Sequence, residues 1–144
     1  MFDHLDHVGI AVEDMETAIE LYRDLFGMRV THDESVVEQG TRVVFLAPRS
    51  GPDLELLAAL GAETPVGKFL AKRGPGIHHL CYAVASLEEA IARCQARGLQ
   101  MIDEVPRIGA KGKRLAFIHP KSTGGVLIEL YQTEQGKDGT TNTR

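Results

Sequence analysis

Apolar residues alternate with polar or small ones in two short stretches that stand 72 positions apart in the chain. His7-Val-Gly-Ile-Ala-Val12 and His79-Leu-Cys-Tyr-Ala-Val84 both read as strands. In the first, Val8, Ile10 and Val12 share one face, and His7, Gly9 and Ala11 the other. In the second, Leu80, Tyr82 and Val84 oppose His79, Cys81 and Ala83. The period then becomes helical in both places. Met15, Ala18, Ile19, Tyr22 and Phe26 form one stripe, with Asp14 as N-cap and Gly27 as the stop. Leu87, Ala90, Ile91 and Cys94 form the other, opened by the capping box Ser86-Leu-Glu-Glu89 and ended by Gly98.

Three further strands are expected after each helix. They are Arg29–His32, Thr41–Ala47 and Leu54–Leu57 in the first half, and Gln100–Asp103, Arg114–His119 and Val126–Tyr131 in the second. Thr64-Pro65 opens a short linking helix to about Arg73, with proline at its first position. The pattern is an internal repeat: His7/His79, Ala11/Ala83, Val12/Val84, Glu16/Glu88, Ala18/Ala90 and Ile19/Ile91 are identical, as are Arg42/Arg114 and Phe45/Phe117 at the same spacing. Leu54-Glu55-Leu56 resembles Ile128-Glu129-Leu130 two residues out of that register. The expected fold is α+β, a β-α-β-β-β module used twice within one domain over 1–132. The modules cover about 5–60 and 76–132, the linking helix about 64–73, and 133–144 form a polar, frayed tail.

Composition narrows the function. With 144 residues, 43% hydrophobic and 25% charged, the chain reads as an ordinary globular domain. No apolar run approaches the roughly 20 residues that span a bilayer. The N-terminal MFDHLDHVGIAV carries an acid where a signal peptide has basic residues, so a cytoplasmic protein is expected. A net charge of −4 argues against a nucleic-acid partner. Cys81 and Cys94 lie in apolar segments and read as buried, reduced thiols.

The repeat carries candidate chemistry. Each half places one histidine and one glutamate away from its helix: His7 and Glu55, then His79 and Glu129. A lone strand histidine is ordinarily a hydrogen-bonded or exposed residue. Two repeat-related His/Glu pairs instead make a mixed nitrogen and oxygen site for a divalent first-row metal. Six-fold coordination leaves two positions for water or substrate. His78 points away from His79, and His4 and His32 have no partner in the pattern, so these three read as structural or surface residues.

These residues resemble the vicinal oxygen chelate (glyoxalase) superfamily, whose members build a curved-sheet metal cup from paired βαβββ modules. Within it, the segments Asp6–Val12, Gly76–Leu80, Pro106–Gly112 and Phe117–Lys121, running into Gly124–Leu130, are similar to the methylmalonyl-CoA epimerases. The resemblance spans about residues 2–132. It implies an isomerase of propionate metabolism that interconverts (2R)- and (2S)-methylmalonyl-CoA through a metal-stabilised enolate, in a homodimer. Its metal ligands fall on His7, Glu55, His79 and Glu129. Cobalt is the ion it favours, with manganese, nickel, zinc and iron compatible with the same donors. Some epimerases have a glutamate proposed as base where this chain has Val43. Glu129 and Glu55 are therefore the acids expected to move the proton, one of them leaving the metal to do so. Arg107, Lys111, Lys113 and Lys121, with Arg114, form a glycine-interrupted basic stretch that reads equally as a site for CoA phosphates or the substrate carboxylate and as an ordinary solvated loop. The alternatives are a lactoylglutathione lyase of the glyoxalase I type and a metal-free small-molecule-binding protein of the resistance type.

Overall fold

The computed structural model describes residues 1–133, so the expected polar tail lies outside the described residues from residue 134 on. The chain gathers into two compact units. The first is His7–His78; the second is Met1–Asp6 together with the chain from His79 onward.

In the first unit the strand order is β2-β3-β4-β1. Strand β1 (Phe2–Ala11) contributes its residues from His7, and runs parallel to β4 (Asp53–Ala59). Strands β2 (Arg29–Val36), β3 (Thr41–Ala47) and β4 are antiparallel neighbours. Helix α1 (Met15–Ile19) is capped by Asp14, whose carboxylate accepts from Thr17 N–H at 3.1 Å. Met15, Ile19, Val44, Leu46, Leu54 and Leu56 form the core, with Val8, Ile10 and Val12 packed on it as alternation requires.

Two elements depart from expectation. The first helix does not continue as one α-helical stripe to Phe26. Glu20–Leu25 are a π-helix, whose wider turn leaves Leu25 and Phe26 exposed while Tyr22 stays against the core. Strand β2 runs on to Val36 rather than ending at His32, with a bulge between Val30 and His32. Its Thr-His-Asp-Glu-Ser stretch has no apolar face because β2 lies at the end of this strand order.

Helix α2 (Pro65–Arg73) starts where Thr64-Pro65 places it: Thr64 Oγ1 accepts from Gly67 N–H at 3.1 Å. Gly67 is required by close approach. A Cβ there would lie 2.3 Å from the Gly61 carbonyl oxygen and 2.8 Å from that of Ala62.

The second unit has the order β5-β8-β7-β6. Strand β5 (Gly76–Val84), which enters this unit at His79, runs parallel to β8 (Ile128–Gln132); β8 pairs antiparallel with β7 (Arg114–Ile118), and β7 with β6 (Arg107–Ile108). Helix α3 (Leu87–Ala96) is capped by Ser86 and packs Leu87, Ala90, Ile91 and Cys94 against Ala116, Ile118 and Leu130. The ring of Phe2 stacks on Tyr82 at 4.5 Å.

The expected strand Gln100–Asp103 is absent. Met101 makes one isolated bridge to Ile118. The Asp103 carboxylate accepts Phe117 N–H at 2.9 Å, taking a donor that a paired strand would have used. Pairing resumes at β6, in the segment read from sequence as a basic loop. Among the described residues no helix is long and apolar enough to cross a membrane.

Candidate metal and substrate site

The two units carry the same half-site. In the first, β1 presents His7 and β4 presents Glu55, with His7 Nε2 3.4 Å from Glu55 Oε1. In the second, β5 presents His79 and β8 presents Glu129, with His79 Nε2 3.8 Å from Glu129 Oε1. All four side chains are buried, the most exposed residue at 7%. An aromatic ring lies against each histidine. Phe45 stands edge-to-face with His7 at 5.3 Å and Phe117 with His79 at 5.8 Å. Register explains the match: Phe45 is the ladder partner of Glu55, and Phe117 that of Glu129. The two phenylalanines stand at equivalent places of the repeat, which was the signal for them in the sequence, although the residues read from it at the metal were only the histidines and glutamates.

The donor chemistry fits a divalent cation. Both nitrogen–oxygen separations exceed the usual 2.7–3.2 Å of an N–H···O bond. Two ligands each about 2.0–2.2 Å from one ion stand roughly 3.0–3.6 Å apart at common coordination angles, a range that holds the 3.4 Å of the first pair and is slightly exceeded by the 3.8 Å of the second. Buried carboxylates need a compensating charge. Imidazole and carboxylate together suit zinc, manganese, cobalt, nickel or iron.

The basic residues separate into different roles. Arg107 Nε lies 3.3 Å from Asp103 Oδ1, and its guanidinium sits over the Phe117 ring at 5.2 Å. Lys113 lies over Tyr131 at 5.7 Å. Lys111 is exposed at the turn between β6 and β7, with φ +61°, a left-handed conformation uncommon outside glycine. Lys121 is exposed, its backbone N–H donating to His119 Nδ1 at 3.1 Å. Arg114 belongs to a different structure: it pairs with Glu88 and reaches Gln132. It is therefore a brace between α3 and β7 rather than a member of a basic substrate loop.

Of the histidines read as structural, His78 packs its ring against Phe69 at 4.8 Å, and His4 lies 3.9 Å from Asp6. His32 does have a partner, Glu34, at 2.9 Å. Val43 is buried on β3 directly opposite Glu34. Both cysteines are buried, and burial pushes the Cys94 thiol up, away from the reactive thiolate.

The sequence profile of the glyoxalase/bleomycin resistance protein/dioxygenase superfamily matches residues 6–117. The chain is 39% identical to the mitochondrial methylmalonyl-CoA epimerase of Dictyostelium discoideum, over 89% of this chain and 77% of that one. The crystal structure of methylmalonyl-CoA epimerase from Mycobacterium tuberculosis aligns with a TM-score of 0.87 at 44% identity, over 91% of this chain and 88% of that one. The chain belongs to the methylmalonyl-CoA epimerase family. A methylmalonyl-CoA epimerase solved in complex with methylmalonyl-CoA and NH4+ aligns with a TM-score of 0.88 at 34% identity, over 93% of this chain and 96% of that one. The lactoylglutathione lyase of Schizosaccharomyces pombe is more distant, 26% identical over 90% of this chain and 48% of that one. The fold of this epimerase-family chain is the expected α+β, glyoxalase-like one.

Proposed function

We propose that the protein is a metal-dependent methylmalonyl-CoA epimerase that interconverts the (2R) and (2S) thioesters. One observation carries the reading: the buried His–Glu pair, walled by phenylalanine, occurs in both units of a chain whose close relatives are named as epimerases. We take 1–132 as one domain of two modules, with His7, Glu55, His79 and Glu129 as joint ligands of one divalent cation. Cobalt is the first candidate and manganese, nickel, zinc and iron the others. The family resemblance also supports a homodimer and a cytoplasmic location.

The reaction removes the proton from the carbon between a thioester and a carboxylate, then returns one to the opposite face. A divalent ion supplies positive charge to the oxygens on which negative charge develops. His7 and His79 would hold such an ion through their ring nitrogens, and the edge-on rings of Phe45 and Phe117 give each half-site an apolar wall. Glu129 exchanges a proton with the α-carbon. Glu55 combines a ligand's position with a base's chemistry. Arg107, oriented by Asp103 and the Phe117 ring, carries a permanent charge suited to the substrate carboxylate or a CoA phosphate. Lys111, Lys113 and Lys121 extend that positive region. Deuterium uptake at the α-carbon of methylmalonyl-CoA, measured beside methylglyoxal–glutathione turnover, tests the assignment against the lyase alternative.

A further inference from the structure

The first unit carries a second imidazole–carboxylate pair, on the half-site side of its sheet. Gly9, Glu55, Phe45 and His32 are ladder partners in turn across β1, β4, β3 and β2, so all four lie on one face. Ala11, Leu57, Val43 and Glu34 form the adjoining row. His32 reaches this face because of the bulge. Val30 pairs with Leu46 on the core side, and the next pair is His32 with Phe45, Thr31 being the extra residue. Regular pairing would set Thr31 opposite Phe45 and send His32 to the helix side. The Phe45 ring thus has His7 at 5.3 Å and His32 at 6.3 Å.

The corresponding place in the second unit is filled differently. The repeat-equivalent Phe117 has His79 at 5.8 Å and the Arg107 guanidinium at 5.2 Å, Arg107 being paired with Asp103. Each phenylalanine therefore adjoins one half-site histidine and one nitrogen base held by an acid. In one unit that base is an arginine, a fixed cation. In the other it is a histidine, which gives and takes protons near neutral pH.

We infer that His32 is a catalytic base of the epimerisation and that Glu34 is its positioning residue. The inference rests on the epimerase reading and deepens it. If both Glu55 and Glu129 moved protons, both would have to leave the ion, and it would keep only its histidines. With His32 as base, Glu55 keeps only the ligand's part of the double role proposed for it above. Glu34 Oε2, 2.9 Å from His32 Nε2, favours the tautomer protonated there and leaves the Nδ1 lone pair to accept a proton. In the forward step the α C–H bond breaks, its electron pair moves into the thioester to form the enolate, and the proton passes to Nδ1. The second step forms the C–H bond on the other face with a proton from Glu129, which must start in its acid form and off the ion and ends as the carboxylate. Exchange with water returns both groups to their starting protonation between turnovers. Val43 and Phe45, apolar neighbours of the pair on β3, carry no competing proton.

Metal-replete wild type and the His32→Gln and Glu34→Gln variants test the assignment. Each epimer of methylmalonyl-CoA is incubated in D2O, and inversion and α-deuterium uptake are followed separately, with metal content and thermal unfolding as controls. His32→Gln is expected to keep its metal and its fold. Inversion should fall by the ~10²–10⁴-fold of a lost general base, while one epimer still exchanges its α-proton with solvent. Glu34→Gln, which keeps the imidazole, should show the same one-sided loss to a smaller degree. Inversion within about threefold of wild type in both variants overturns the assignment, as does equal loss of exchange from both epimers. A wild type that exchanges neither epimer overturns instead the epimerase reading, so the two failures are distinct.

Discussion

The Arg42 guanidinium meets the Glu16 carboxylate at 2.8 Å, joining helix α1 to strand β3. Arg114 and Glu88 make the same contact between α3 and β7. All four residues belong to the identical positions of the repeat, so part of what the halves share is a brace. Arg42 also grips Asp33 with two bonds, of 3.0 and 2.8 Å. Arg42 holds the Asp33 carboxyl below its ordinary range, and Arg114 does so for Glu88.

Arg42→Met and Arg114→Met should each lower stability at pH 7 by about 0.2–1 kcal/mol, the range of solvent-screened pairs. Carboxyls depressed in the folded state contribute stability that is fully present above their unfolded value of about 4 and lost as pH falls through the folded value. The variants and wild type should therefore converge in urea midpoint toward pH 3 and differ at pH 7.

Gly67→Ala should destabilise the protein by about 1–3 kcal/mol, although alanine is the better helix former. The added methyl meets the carbonyls of Gly61 and Ala62, which are backbone and cannot swing aside. Thermal unfolding of the variant checks this.

Much of this architecture is legible in the sequence because burial imposes strict periods. Val8, Ile10 and Val12 pack under the helix, and Glu55 sits between Leu54 and Leu56 and Glu129 between Ile128 and Leu130, as two-residue alternation requires. What escaped has local causes. The bulge at Thr31 changes which residues face the site without leaving a mark in composition, so His32 read as a residue with no partner. Asp103 ends a ladder by taking the Phe117 N–H, a contact 14 positions distant in the chain. The π-turn after Ile19 moves Phe26 off a stripe that fits an α-helix.

His79→Ala should abolish metal retention on gel filtration, read by elemental analysis. His78→Ala, which removes a ring packed on Phe69, should keep the metal and lose only stability. Loss of metal from both variants, or from neither, contradicts the assigned ligands.

Glu55→Gln keeps a ligand oxygen and removes a base. With His32 as base, metal content should persist and α-proton exchange should fall by less than tenfold. A fall of ~10²–10⁴-fold with metal retained would return the base's role to Glu55.

The central claim is that this chain labilises the α-proton of methylmalonyl-CoA at a metal held by paired His–Glu half-sites. The most direct measurement is α-deuterium uptake from D2O by (2R)- and (2S)-methylmalonyl-CoA with metal-replete, chelated and metal-restored protein. The account predicts uptake with interconversion of the epimers, lost on chelation and recovered when cobalt is returned. Metal-replete protein that leaves the α-proton of both epimers unexchanged, while turning over the methylglyoxal–glutathione adduct, would contradict it.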